Sequence, residues 1–90
     1  MIKVFELVCI KPLIYDKTVF VDGETYVGYK GDTGIAVING EERKGFCDMD
    51  TCMYRHGHPY GFQKFFEIVK TGAVQNKKEL REYIRLWNEK

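Results

Sequence analysis

Four residues able to bind a soft metal, or to act as nucleophile and base, fall within twelve positions of this chain. The stretch reads Cys47-Asp48-Met49-Asp50-Thr51-Cys52-Met53-Tyr54-Arg55-His56-Gly57-His58, a C-x4-C-x3-H-x-H spacing that holds both histidines and two of the three cysteines. Cys47, Cys52, His56 and His58 together would make a closed two-sulfur, two-nitrogen zinc set. Such a site would add folding energy to a small domain. The spacing argues against it. Zinc ligands pair about two to four residues apart on separate turns, and a His-x-His on extended chain throws its rings to opposite faces. We therefore expect no bound cofactor, with zinc as the alternative and Cys9 able to replace one histidine. The simpler reading makes the cysteines small, half-buried residues and the histidines loop residues. A disulfide within the loop is a third reading.

Catalysis is not expected. A Cys47 or Cys52 nucleophile with His56 or His58 as base needs a lowered thiol pKa, a positioned base and an oxyanion site, and none is legible. Asp48, Asp50 and Thr51 lack the spaced oxygen ligands and the glycine of a calcium loop. Gly31-Asp32-Thr33-Gly34 contains the D-T-G of aspartic proteases, but Tyr29-Lys30 precede it in place of an apolar strand, so it reads as a turn.

Recognition is the better use of this region. Tyr54 through Phe65 interleaves aromatic with cationic residues, a mixture that suits a protein hot spot. Tyr54, Arg55, His56, His58, Tyr60 and Lys64 are the expected partner contacts. The same mixture suits stacking on single-stranded bases, through Tyr60, Phe62, Arg55 and Lys64. Net charge decides between them. The chain carries +1, with −1 over residues 1–44 and +2 over 45–90, so a polyanion partner is disfavoured. A third reading places Phe62, Phe65 and Phe66 in the core.

Ninety residues make one domain. A chain of this length buries only about 60% of its unfolded surface, and thirteen aromatics offset that through their large buried area. Residues 2–11 read as a strand closed by Pro12, and 13–17 as a loop. Thr18–Val21, Thr25–Lys30 and Ile35–Ile38 read as short strands. Asn39-Gly40 predicts a type I′ hairpin returning through charged residues 41–46, a guarded edge. Residues 62–69 read as the last strand, broken by Thr71-Gly72. Asn76 with Glu79 forms an N-cap signal. Leu80, Tyr83, Ile84 and Trp87 then form one stripe of a helix over 76–89, with Lys78–Glu82 and Arg85–Glu89 paired on its wet side.

Five or six short strands and one C-terminal helix predict a mainly β (α+β) fold, a bent antiparallel barrel over 1–69 with the helix at 76–89, in one domain over 1–90. Val8-Cys9-Ile10-Lys11, Thr18-Val19-Phe20-Val21-Asp22-Gly23-Glu24-Thr25-Tyr26 and Val37-Ile38-Asn39-Gly40-Glu41-Glu42 together resemble a family of small phage and prophage proteins with SH3-like barrels. The resemblance spans roughly residues 4–69. It departs at Val21-Asp22-Gly23, at 47–58 and at the terminal helix. It implies a phage-encoded accessory factor or inhibitor of the host-takeover type.

The expected protein is thus a non-enzymatic interaction domain, monomer or homodimer. It would bind a larger host or phage protein by β-edge addition, by its aromatic loop, or both. No apolar run approaches the ~20 residues of a membrane span, and Glu6 interrupts any signal-peptide core. An odd cysteine count does not make a secreted disulfide framework. A cytoplasmic location is the expectation.

Overall fold

In a computed structural model, which describes residues 1–48 and 58–90, the chain is mainly β, with seven strands and a C-terminal helix. The strands are β1 (Ile2–Cys9), β2 (Leu13–Tyr15), β3 (Thr18–Phe20), β4 (Thr25–Lys30), β5 (Ile35–Asn39), β6 (Glu42–Phe46) and β7 (Phe66–Val74). A single helical turn, α1 (Phe62–Phe65), precedes β7, and α2 (Lys77–Asn88) follows it. Five strands form an antiparallel sheet in the order β6-β5-β4-β1-β7, and β2-β3 form a separate hairpin. The sheet does not close, since β6 and β7 end its order without pairing to each other.

Period-two alternation divides the sheet into two faces. Phe5, Leu7 and Cys9 of β1 point one way and meet Tyr26, Val37 and Phe46 from the neighbouring strands. The β2-β3 hairpin lies over this face with Tyr15 and Phe20 turned inward, and α1 adds Phe62 and Phe65. The result is an aromatic core. Phe20 meets Tyr26, Phe46 and Phe66 edge-on, at ring-centre distances of 5.2, 5.9 and 5.4 Å. Edge-to-face packing places ring hydrogens on the electron-rich faces of neighbours. Val4, Val27 and Ile38 occupy the opposite face and are also buried, where α2 brings Leu80, Tyr83 and Ile84.

The helix starts as its sequence predicts. Asn76 caps it by accepting from the backbone N–H of Glu79 at 3.0 Å, and the Glu79 carboxylate accepts in turn from Gln75 N–H. Arg85 pairs with Glu89 at 2.7 Å and also with Glu82, so Glu82 faces Arg85 and not Lys78. At the far end Asn88 donates to Gly40 O at 3.0 Å, which ties α2 to the β5–β6 hairpin. Asn39 donates to Val19 O at 2.6 Å and ties the same hairpin to β3.

Several expectations change. Residues 13–17 are a hairpin strand and turn, not a loop: Asp16 and Lys17 take φ of 48° and 72°, the two positive values of a type I′ turn. At the predicted type I′ site, Asn39 stays in β5 opposite Glu42, and Gly40, at φ 63°, is the residue in the left-handed region. Positive φ at the first central residue is the pattern of a type II′ turn. Residues 62–65 are helical because Phe62, Phe65 and Phe66 follow the i, i+3, i+4 spacing and bury one side. Thr71-Gly72 does not break the last strand; β7 runs through it to Val74, held by β1. The predicted barrel over 1–69 therefore gives way to an open sheet reaching residue 74.

Candidate functional site

The chain leaves β6 at Cys47 and returns at His58 to pass around the β6 edge. Cys47 N–H donates to Tyr60 O at 2.9 Å, and Phe62 N–H donates to Cys47 O at 2.6 Å, which makes a parallel bridge between Cys47 and Gly61. This short wrap puts His58 on the helix side of the sheet and Tyr60 on the aromatic side. Tyr60 packs on Tyr15 and Phe65, at ring-centre distances of 5.0 and 5.5 Å. The His58 ring sits where Gly34 and Gly45 remove side chains from the β5–β6 backbone, and its Nε2 is 3.0 Å from Thr33 Oγ1.

These contacts sort the expected site residues. Tyr54, Arg55, His56 and Cys52 lie outside the described residues. His58 and Tyr60 are half-buried and engaged with the sheet, while Lys64 is exposed on α1. Phe62 is 3% exposed and stacks on Phe66 at 5.7 Å, so a base cannot lie on it without opening the core. Of the zinc set, Cys47 is buried and disulfide-bonded, which removes its thiolate from a metal site in this form. Cys9 is the free thiol among the described residues. It is buried and donates to Lys11 O at 3.1 Å, and burial raises its pKa. A protonated, enclosed thiol is a poor nucleophile.

Two surfaces stand out that the motif did not mark. The first is β7, an edge of the sheet. Glu67 through Ala73 are all exposed, including Ile68 at 46% and Val69 at 64%. Pairing with β1 shifts register between Glu6 and Leu7: Glu6 meets Lys70 and Leu7 meets Ile68, which leaves Val69 as the extra residue of a bulge. The opposite edge differs. β6 carries Glu42, Arg43 and Lys44, and its end is occupied by the Cys47–Gly61 bridge.

The second surface is a groove on the helix face. Because α2 crosses the sheet diagonally, from the end of β7 to the β5–β6 hairpin, it leaves a wedge over β4, β5 and β6. This cleft of about 440 Å³ has Ile2, Ile38, Leu80 and Ile84 as its apolar lining and Lys30, Arg43, Lys77 and Arg81 around it. It runs on past Tyr29 and Arg43 toward His58. Arg43 donates to the Tyr29 phenol at 2.9 Å, and Lys30 is paired with Asp48. Sequence reading missed this groove because residues far apart in the chain supply it: Ile2 from β1, Tyr29 to Arg43 from the β4–β6 strands, and Lys77 to Ile84 from α2. Only the sheet order sets Tyr29 near Arg43, and only the helix crossing adds Arg81.

No helix among the described residues is long and apolar enough to cross a membrane. The chain matches no known family model, no curated protein and no solved structure.

Proposed function

We propose that this protein is a small non-catalytic binding domain that takes an extended segment of a larger partner protein along the free edge of β7. The observation that carries the reading is the edge itself. Among the described residues β7 is paired on one side only: eight of its nine residues meet β1, Val69 is the bulge, and both Ile68 and Val69 are exposed. Such an edge presents backbone donors and acceptors to a further strand, and the Val69 bulge with the charges of Glu67 and Lys70 restricts pairing to a segment that fits them. Added strands gain affinity from main-chain hydrogen bonds and specificity from alternate side chains. The resemblance of residues 4–69 to phage accessory proteins supports a host or phage protein as that partner, with the host cytoplasm as the setting and inhibition of the partner as the outcome.

The test is a comparison of two baits. Wild-type protein and an Ile68→Lys/Val69→Lys variant are immobilised and exposed to lysate of a bacterial host. Both positions are exposed, a circular dichroism spectrum and thermal midpoint matching the wild type establish that the variant is folded, and lysines on an edge strand oppose pairing. A protein retained by the wild type and lost from the variant supports edge addition. Equal retention by both baits refutes it.

A further inference from the structure

We infer that the wedge between α2 and the β4–β5–β6 half of the sheet is a second binding site, and that it takes an acidic, apolar-anchored peptide segment of a partner protein. The argument rests on charge and shape. Four cations and one carboxylate, Asp32, line this cleft, whereas the whole chain carries only +1. The excess is therefore local. Lys30 is offset by Asp48, but Lys77 and Arg81 make no ion pair among the described residues. The Arg43 guanidinium is already held against the Tyr29 phenol, so it loses less freedom on binding than a free side chain would. Guanidinium groups match carboxylates in a two-bond fork.

The lining between these cations is apolar, which selects against a bare inorganic anion. A volume of about 440 Å³ lies within the usual range for ligand pockets and accommodates a few side chains. Carboxylates set between apolar anchors would meet both features at once. Electrostatic complementarity of this kind acts mostly on encounter rate and partner choice. The site is separate from β7, which lies on the other flank of α2 beside Tyr83.

Fluorescence anisotropy tests the proposal with a labelled peptide of alternating Glu and Leu, and with its counterpart in which every Glu is Lys. Arg43 and Arg81 are both exposed, and a circular dichroism spectrum and thermal midpoint matching the wild type establish that Arg43→Glu/Arg81→Glu is folded before its binding is read. The expected result is binding of the Glu peptide, at least about tenfold weaker binding of the Lys peptide, and a similar loss in the arginine double variant. The Ile68→Lys/Val69→Lys variant keeps the affinity of the wild type. Equal binding of the two peptides, or no effect of arginine reversal, overturns the inference. So does loss of binding in the β7 variant alone, which would place the peptide on the strand edge. Displacement of the peptide by anionic phospholipid vesicles would assign the cleft to a membrane surface and overturn it as well.

Discussion

The imidazole of His58 lies on the backbone of Gly45, so closely that a Cβ at Gly45 would sit 2.8 Å from its Cε1 and 3.0 Å from its Nδ1. Gly45→Ala should therefore unseat the ring and break its contact with Thr33. The ring can swing away, so the expected cost is about 1 kcal/mol. Gly34 contrasts with it: a Cβ there would fall 2.0 Å from the Phe46 carbonyl oxygen. That neighbour is backbone in a paired strand and cannot move alone. Gly34→Ala should cost several kcal/mol, roughly 3 or more, as changes that force strand backbone apart do. Urea denaturation ranks the two, and NMR of the His58 ring reports the seat. A Gly45→Ala protein with an unshifted His58 signal would disprove it.

The turn between β2 and β3 holds two non-glycine residues at positive φ, Asp16 and Lys17. Each costs about 1 kcal/mol in that region, and Asn-Gly is the pair that such turns prefer. The Lys44–Asp16 contact, at 3.9 Å with Asp16 largely exposed, is worth little. Asp16→Asn combined with Lys17→Gly should raise the stability of the domain by about 1 kcal/mol. A lower thermal midpoint in the double variant would refute strain at these two residues.

The aromatic core should be intolerant and the outer side of the same hairpin tolerant. Phe20 is fully buried, with three aromatic neighbours on β4, β6 and β7. Phe20→Ala should cost about 3–5 kcal/mol, a large share of the stability of a small domain. Ile14 and Val19 lie opposite each other on that hairpin and are 68% and 49% exposed. Ile14→Ala should change stability by less than about 0.5 kcal/mol. Equal effects of the two substitutions in guanidinium titrations would mean that the hairpin does not close over the sheet.

The elements that carry local signals were legible in the sequence. Asn76, Glu79 and the Leu80–Trp87 stripe define α2 within one residue of its observed bounds, because capping and helical periodicity are encoded within a few positions. Asn39-Gly40 located the β5–β6 hairpin but misplaced its turn by one residue. Asn39 stays in the strand, where its side chain reaches Val19, and that partner lies twenty positions away. The β2–β3 turn was invisible because Asp16-Lys17 carries no glycine signal. The single turn at Phe62–Phe65 had its helical spacing in plain view, yet its aromatic content reads equally as strand. For the candidate site the asymmetry is sharper. The cysteine–histidine motif is local and obvious, whereas β7 as a free edge and the Arg43–Arg81 wedge arise only from the strand order and the helix crossing.

Alkaline pH supplies a test of the same packing. Burial raises the pKa of the Tyr15 phenol, and Asp16 and Tyr60 add to the effect. Burial raises that of Tyr26 against the lowering bond from Val21 N–H, with Cys9 and Glu24 reinforcing the rise. Tyr83 is raised by burial first and by Glu6 second. A group whose folded pKa lies above its unfolded value binds its proton more tightly when folded. Its contribution is complete below the unfolded value, about 10 for tyrosine, and is lost as pH rises through the folded values. Stability should thus be insensitive to these groups near neutrality and fall steadily above pH of about 10. Tyr15 adds a structural reason, since its hydroxyl donates to Gly45 O at 2.9 Å and ionisation removes that donor. Tyr15→Phe deletes this titrating group along with the bond, so it should lower stability at neutral pH and make the alkaline fall shallower. Thermal midpoints measured across the alkaline range, with tyrosinate absorbance followed in parallel, check both. A fall as steep in Tyr15→Phe as in the wild type would remove Tyr15 from the account and leave Tyr26 and Tyr83 to carry it.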